Sequence, residues 1–164
     1  MVRIGLLSDT HGYFDPRLRE FFSECNEIWH AGDIGDILTA NEISAFKPFK
    51  AVFGNIDGTE IRNAYPKHQR FTCEGVNVWI THIGGYPGHY DFRIRDEIKA
   101  DPPGLFIAGH SHILKVMSDK KLRLLYINPG AAGKTGFHQI RTAVRFVIDS
   151  NNIKDLEVIE LGKR

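Results

Sequence analysis

The chain has 164 residues, in which 21 lysines and arginines nearly balance 20 aspartates and glutamates, for a net charge of +1. That balance excludes the basic footprint of a dedicated nucleic-acid binder, and 42% hydrophobic with 25% charged residues excludes a disordered chain. No apolar run approaches the length of a membrane-spanning helix, and the size suits one domain over residues 1–164.

In chain order, Val2 to Ser8 is a continuous apolar run, the mark of a buried strand. It reaches Asp9 too soon to serve as the apolar core of a signal peptide, so the expected compartment is the cytoplasm. Asp15-Pro16 reads as an N-cap and first-turn proline opening a helix, whose stripe is Leu18, Phe21, Phe22 and Cys25. Glu27 to Ala31 reads as a strand, Asp36 to Phe46 as a helix stopped before Pro48, and Lys50 to Phe53 as a third strand. Phe71 to Cys73 and Val76 to Ile80 suggest a hairpin around Gly75. Tyr90 to Ala100 reads as a helix closed by Asp101-Pro102-Pro103, and Leu105 to Ala108 as another buried strand. Lys115 to Ser118, Leu122 to Ile127, Ala143 to Ile148 and Leu156 to Leu161 are strand-like. An α/β first half followed by a β-rich second half predicts two packed sheets with helices outside.

Chemistry-bearing residues stand where the strands end: Asp9-Thr10-His11, Gly32-Asp33, Gly54-Asn55-Ile56-Asp57, Thr81-His82 and Gly109-His110-Ser111-His112. Each gap between these groups is about one strand–helix–strand or strand–hairpin unit long, so all should reach the same sheet edge. Open α/β sheets place ligand sites at the carboxyl ends of their strands. Two Asp, one Asn and four His are oxygen and imidazole ligands, too many for one tetrahedral metal. They suit two divalent ions sharing a bridging carboxylate, an arrangement for displacement at phosphorus. The cysteines, Cys25 and Cys73, form no CxxC pair, which argues against a thiolate metal site or a redox motif. Glycines before Asp33, Asn55 and His110 are expected to let the backbone turn sharply there.

In this order the motifs resemble those of the calcineurin-like metallophosphoesterases, and the short chain resembles their small bacterial and archaeal phosphodiesterase branch. Asn128-Pro129-Gly130 resembles that branch too. The resemblance implies a four-layer αββα sandwich of two mixed sheets flanked by helices. It implies that Asp9, His11 and His112 bind one metal, that Asn55, His82 and His110 bind a second, and that Asp33 bridges them. It implies that bridging hydroxide attacks phosphorus in line, with Asp33, Asn55 and His82 as the catalytic residues. The family's metals are Mn, Fe or Zn, with Mn the first expectation in vitro; imidazole ligands disfavour resident Mg or Ca.

The chain departs from the pattern at Ile56, where larger relatives carry a histidine thought to protonate the leaving group. It departs again at Ile83-Gly84-Gly85, where relatives follow the metal histidine with Gly-His. His30, on a predicted buried strand, is expected to be structural or to support a ligand. Asp57 is expected either to orient a ligand histidine or to serve as a turn carboxylate. His89, Lys134 and His138 are candidate substrate contacts, Tyr13, Phe14 and Tyr86 candidate stacking surfaces, and His68 a solvated loop residue. Gly133-Lys134-Thr135 is rejected as a P-loop end, because Asn128 stands where the first glycine is required and Pro129 lacks an N–H.

The expected partner is a small phosphoester substrate, with no nucleic-acid surface and no membrane; exposed edge strands would permit a homodimer. The alternative function is a metal-poor interaction scaffold of the same fold, of which Ile56 would be an early sign.

Overall fold

A computed structural model describes all residues, Met1–Arg164. Two five-stranded mixed sheets pack face to face. The first contains β1 (Val2–Leu7), β2 (Glu27–His30) and β3 (Phe49–Ala51). The second contains β4 (His68–Cys73) and β5 (Val76–Thr81), and a small hairpin of β6 (Gly85–Tyr86) and β7 (His89–Tyr90) follows. Next come β8 (Leu105–Ile107), β9 (Leu114–Asp119) and β10 (Leu124–Pro129) of the second sheet, then β11 (Ile140–Asp149) and β12 (Asn152–Lys163) of the first. The sheet orders are β12-β11-β1-β2-β3 and β4-β5-β8-β10-β9. β1, β2 and β3 run parallel, as do β5, β8 and β10, and the remaining pairings are antiparallel.

The apolar runs read from the sequence explain the layering. Alternate residues of β1 (Ile4, Leu6) join Trp29, Val144, Phe146 and Ile148 on one inner face, and Val78, Ile80, Leu105, Ile107 and Ile127 answer them from the other sheet. The opposite face of the first sheet buries Leu7, Ile28 and Ala143 under Leu18, Phe22 and Ile43, which α1 (Arg17–Phe21) and α2 (Ile37–Phe46) carry or adjoin. Trp79, Phe106 and Tyr126 bury the outer face of the second sheet under Ile98 of α4 (Arg95–Ala100). The result is the expected αββα order.

Local signals explain the ends of α2. Asp36 caps α2 by accepting the Thr39 N–H at 2.7 Å, and Pro48 prevents its continuation. Several expected boundaries move. The stripe through Cys25 outlasts α1, which ends at Phe21, although Phe22 and Cys25 are still buried. The helix expected over Tyr90 to Ala100 begins only at Arg95, because Tyr90 pairs with Gly85 in the β6–β7 hairpin. α3 (Thr59–Ala64) was not anticipated; it buries only Ile61 and so shows no apolar stripe. His68 opens β4 rather than lying in a loop, and it accepts the Trp79 indole N–H at 3.3 Å. Both cysteines are free, and burial pushes the Cys25 thiol pKa up. No helix is long and apolar enough to cross a membrane.

Candidate metal centre

The parallel strands β1, β2, β3, β5 and β8 all end at one edge of the sandwich, and the five motifs meet there. Backbone bonds zip their loops together: Asp9 N–H to Gly32 O (2.9 Å), His11 N–H to Asp33 O (3.1 Å), and Gly109 N–H to His82 O (3.0 Å). Two contacts cross between the sheets. His82 Nδ1 lies 2.7 Å from Ala31 O, and the His110 N–H donates to Asp9 Oδ2 at 3.2 Å. Asp9, His11, Asp33, His110 and His112 all have φ between 47° and 69°. That left-handed conformation costs about 1–3 kcal/mol per non-glycine residue and concentrates at functional sites.

Two groups of donors result: Asp9, His11 and His112, and Asp33, His82 and His110. Asn55 joins the second group, with Oδ1 3.0 Å from His110 Nδ1. One carboxylate oxygen relates the two groups: Asp33 Oδ2 lies 3.2 Å from His82 Nε2 and 3.6 Å from His11 Nε2. His112 Nε2 lies 3.1 Å from Asp9 Oδ1. Ligand atoms about 2.1 Å from a shared ion stand ~3.0–3.8 Å apart for angles of about 90–130°, the spacing seen here.

Three buried atoms facing this space have no hydrogen-bond partner: Asp9 Oδ1, His11 Nε2 and His82 Nε2. An unsatisfied buried polar group costs about 1–3 kcal/mol, so three together need a reason. Their types supply it. With Nδ1–H of His82 given to Ala31 O, Nε2 keeps a lone pair, and a carboxylate oxygen is an acceptor only. Lone pairs converging from both sides fit divalent cations. The electrostatics agree. Burial opposes ionisation of Asp9, but His11 and His112 outweigh it and hold the carboxyl far below the usual range. Burial likewise opposes Asp33, and His82 outweighs it. In return Asp9 raises the His11 pKa, and Asp33 raises that of His82 against burial. The two buried carboxylates thus favour positive charge in this space, a role that a divalent cation would take while leaving the imidazoles neutral.

Supporting residues fall into place around the donors. The His30 ring is fully buried. Its Nδ1 accepts the Gly32 N–H (3.1 Å), which leaves Nε2–H for Thr10 Oγ1 (2.9 Å), and burial lowers its pKa to about 3. It is therefore a neutral brace between the first two loops. Asp57 contacts no histidine. Its carboxylate accepts the N–H groups of Ile34 (3.1 Å), Gly35 (2.8 Å) and Gly54 (2.8 Å), tying the Asp33 loop to the Asn55 loop. The turn-carboxylate alternative is the one found. The glycines also differ from expectation. Gly32 has φ +100°, but Gly54 and Gly109 matter for close approach, since a Cβ on Gly54 would overlap the Asp33 carboxylate and one on Gly109 the Ser8 hydroxyl.

The three candidate substrate contacts separate. His138 is buried; Nε2 lies 2.8 Å from Gly133 O and Nδ1 lies 3.0 Å from His112 Nδ1, so it holds the His112 ring in place. His89 packs on Tyr86, ring centroids 4.9 Å apart on the β6–β7 hairpin, and belongs to neither donor group. Lys134 is exposed, with its ammonium 4.0 Å above the Tyr13 ring. Ile56 exposes its side chain, and its backbone N–H donates to Asp33 Oδ1 at 3.0 Å. Asn128 braces the fifth motif through Gly109 O and Ser111 Oγ, both at 3.0 Å. Ser8 was missed because a strand-end serine carries no spacing signal; its hydroxyl donates to Asp9 Oδ2 at 2.6 Å.

Comparison with known proteins agrees with this geometry. Residues 2–151 match the calcineurin-like phosphoesterase superfamily domain. The chain is 30% identical over 143 residues to a probable metallophosphoesterase of Methanothermobacter thermautotrophicus, covering 78% of this chain and 76% of that protein. Among solved structures it resembles an archaeal phosphodiesterase (TM-score 0.73, 21% identity, covering 97% and 99% of the two chains). It also resembles zinc-bound Vps29 from Entamoeba histolytica (TM-score 0.71, 12% identity, covering 96% and 98%). The chain belongs to the calcineurin-like phosphoesterase superfamily.

Proposed function

We propose that this chain is a phosphoesterase that hydrolyses phosphodiesters in preference to monoesters, using two divalent transition ions. Asp9, His11 and His112 would hold one ion, Asn55, His82 and His110 the other, and Asp33 would serve both. The observation that carries this reading is Asp33 Oδ2, set between His82 Nε2 and His11 Nε2 while Oδ1 is occupied by the Ile56 N–H. When bound, such a pair supplies a nucleophile from water near neutral pH and neutralises charge on the phosphoryl oxygens during in-line displacement.

The protein's own groups prepare that chemistry. Ala31 O and His138 fix which nitrogen of His82 and His112 carries a proton, so that both present Nε2 lone pairs inward. Asn55, exposed at the cleft, is placed to orient a phosphoryl oxygen. Imidazole and oxygen donors favour Mn, Fe or Zn over Mg or Ca, and Mn is the first to try. The diester preference draws on two cavities that share Ile83 in their walls, one lined by Asn55 and His82 and one by His110, Tyr86 and Ile113, giving room for two substituents on phosphorus. The archaeal phosphodiesterase of similar fold supports the same choice.

The test is metal content together with hydrolysis of bis(p-nitrophenyl) phosphate and p-nitrophenyl phosphate, with His112→Ala as control. Bound metal and faster turnover of the diester, lost in His112→Ala, are expected. No bound metal and no turnover with Mn, Fe or Zn would replace this reading with the interaction scaffold.

A further inference from the structure

Beside the candidate metal centre lies a cavity of about 260 Å³, and Asn55 and His82 form part of its wall. Its charged lining residues are Arg62, Lys67 and Arg93; no aspartate or glutamate lines it. The whole chain carries a net charge of only +1, so three cations in one recess are not a sample of a generally basic surface. Arg62 is held in place: its guanidinium lies 4.6 Å from the Phe53 ring and donates only to backbone oxygens, chiefly Asp57 O at 2.6 Å. Lys67 is exposed. Arg93 meets Asp91 at 3.1 Å, leaving its other guanidinium N–H groups available. The neighbouring cavity, about 290 Å³, shares Ile83 with it and includes His110, and it is different in kind: Tyr86, Ile113 and Tyr126 line it, its one acid, Asp91, is matched by one cation, Lys115, and that ammonium lies 4.0 Å above the Tyr86 ring.

We infer that the Arg62–Lys67–Arg93 cavity is a subsite for a second anionic group, a carboxylate or a phosphate, on one arm of the substrate. The inference rests on the phosphoesterase reading, since the reacting phosphoryl group would sit at Asn55 and His82 on the cavity wall. Like charges gathered in a recess repel one another, and an anion placed among them removes that repulsion while accepting charge-assisted hydrogen bonds. The substrate class is therefore a phosphoester whose one arm is acidic and whose other arm, facing Tyr86 and Ile113, is neutral and partly apolar. General steering by the same cations would strengthen every anionic ligand alike; a subsite strengthens only a ligand long enough to reach it.

The test uses the full chain loaded with Mn and isothermal titration with phosphonates, which are not hydrolysed. Methylphosphonate has one anionic group. A series with a terminal carboxylate, or a terminal phosphonate, two to five methylenes away has two. The best two-ended probe is expected to bind about 5-fold or more tightly than methylphosphonate, the scale of a partly exposed ion pair. The comparison of carboxylate with phosphonate ends tells which anion is preferred. In Lys67→Glu/Arg93→Glu the advantage should vanish while methylphosphonate affinity changes less than about 2-fold. Arg62 is left intact because it also braces the Asn55 loop. If the double variant unfolds, Lys67→Gln alone should remove part of the advantage. Equal binding of one-ended and two-ended probes, or an advantage that survives the charge changes, overturns the subsite. Turnover of bis(p-nitrophenyl) phosphate, measured alongside, separates the two readings. Turnover with equal probe affinities removes the subsite alone, and a two-ended advantage without turnover removes the phosphoesterase reading alone.

Discussion

His112 and His138 face each other through their Nδ1 atoms at 3.0 Å. His138 gives its Nε2–H to Gly133 O, so its Nδ1 must accept, and His112 must donate from Nδ1. That fixes the His112 tautomer with its Nε2 lone pair toward Asp9 Oδ1. Outer partners of metal-binding histidines commonly contribute 10- to 100-fold in metal affinity. His138→Ala should therefore weaken metal binding by about that much, with unchanged circular dichroism. His138→Gln, which can place an amide oxygen near the same position, should recover part of it. Metal titrations that overlay for wild type and His138→Ala would remove the supporting role.

Metal removal should destabilise the fold, because the ions would satisfy Asp9 Oδ1, His11 Nε2 and His82 Nε2 in the native state only. At a free metal concentration about 100-fold above Kd the stabilisation is ~2.7 kcal/mol. For a chain of this length that corresponds to a Tm rise of ~5–10 °C. Differential scanning calorimetry with added Mn and then with a chelator measures it. A Tm indifferent to both would count against any ion at this site.

Acid stability should depend on Asp15. Its carboxylate is buried and joins the start of α1 to β11 through Arg17 (2.7 Å) and Arg141 (2.8 Å). The Arg17 hydrogen bond is the largest influence, and with Arg141 it outweighs burial and holds the pKa below the ordinary range. A depressed folded-state pKa contributes stability above the unfolded value of about 3.9, and that contribution is lost as pH falls toward the folded value. Asp15→Asn should cost about 1–2 kcal/mol at pH 7, where Arg141 loses a charged partner. The difference from wild type should shrink steadily below about pH 4. Urea unfolding at several pH values reads this directly, and a gap that widened in acid would contradict the assignment.

Ile56 offers no proton to a leaving group, and its exposed side chain leaves the adjoining cleft without an acid at that position. General acid help is worth about 10²–10⁴-fold. Turnover should therefore fall steeply across aryl diesters as the leaving-group pKa rises. Ile56→His should flatten that slope, speeding poor leaving groups while sparing good ones. A flat profile in the wild type would mean that another group already donates the proton.

Much of the site is legible in the sequence. The polar residues at strand ends were visible because a buried strand is a continuous apolar run and its end is abrupt. Asp9, Asp33, His82 and His110 each follow such a run, so their common edge could be inferred from strand direction. The αββα layering followed from the same runs together with the family resemblance. Other features carried no such signal. α3 buries a single side chain, Ile61, and the β6–β7 hairpin is two residues on each side. His138 reads from the sequence as a candidate substrate contact, because the contact that defines it is with His112, 26 positions earlier.

The sequence by itself determined which chemistry is available: seven oxygen and imidazole donors at the ends of buried strands, and no thiolate pair. Periodicity and chain direction suffice for that, since they decide which end of a strand a residue reaches. Only the tertiary structure decided how the donors are held. Asp57 grips backbone rather than a histidine, and His138 turns inward onto His112. The cations of Arg62 and Lys67, five positions apart, and of the distant Arg93 come to line one cavity. These arrangements depend on distances between residues far apart in the chain, and such distances are set by how the two sheets and their loops pack.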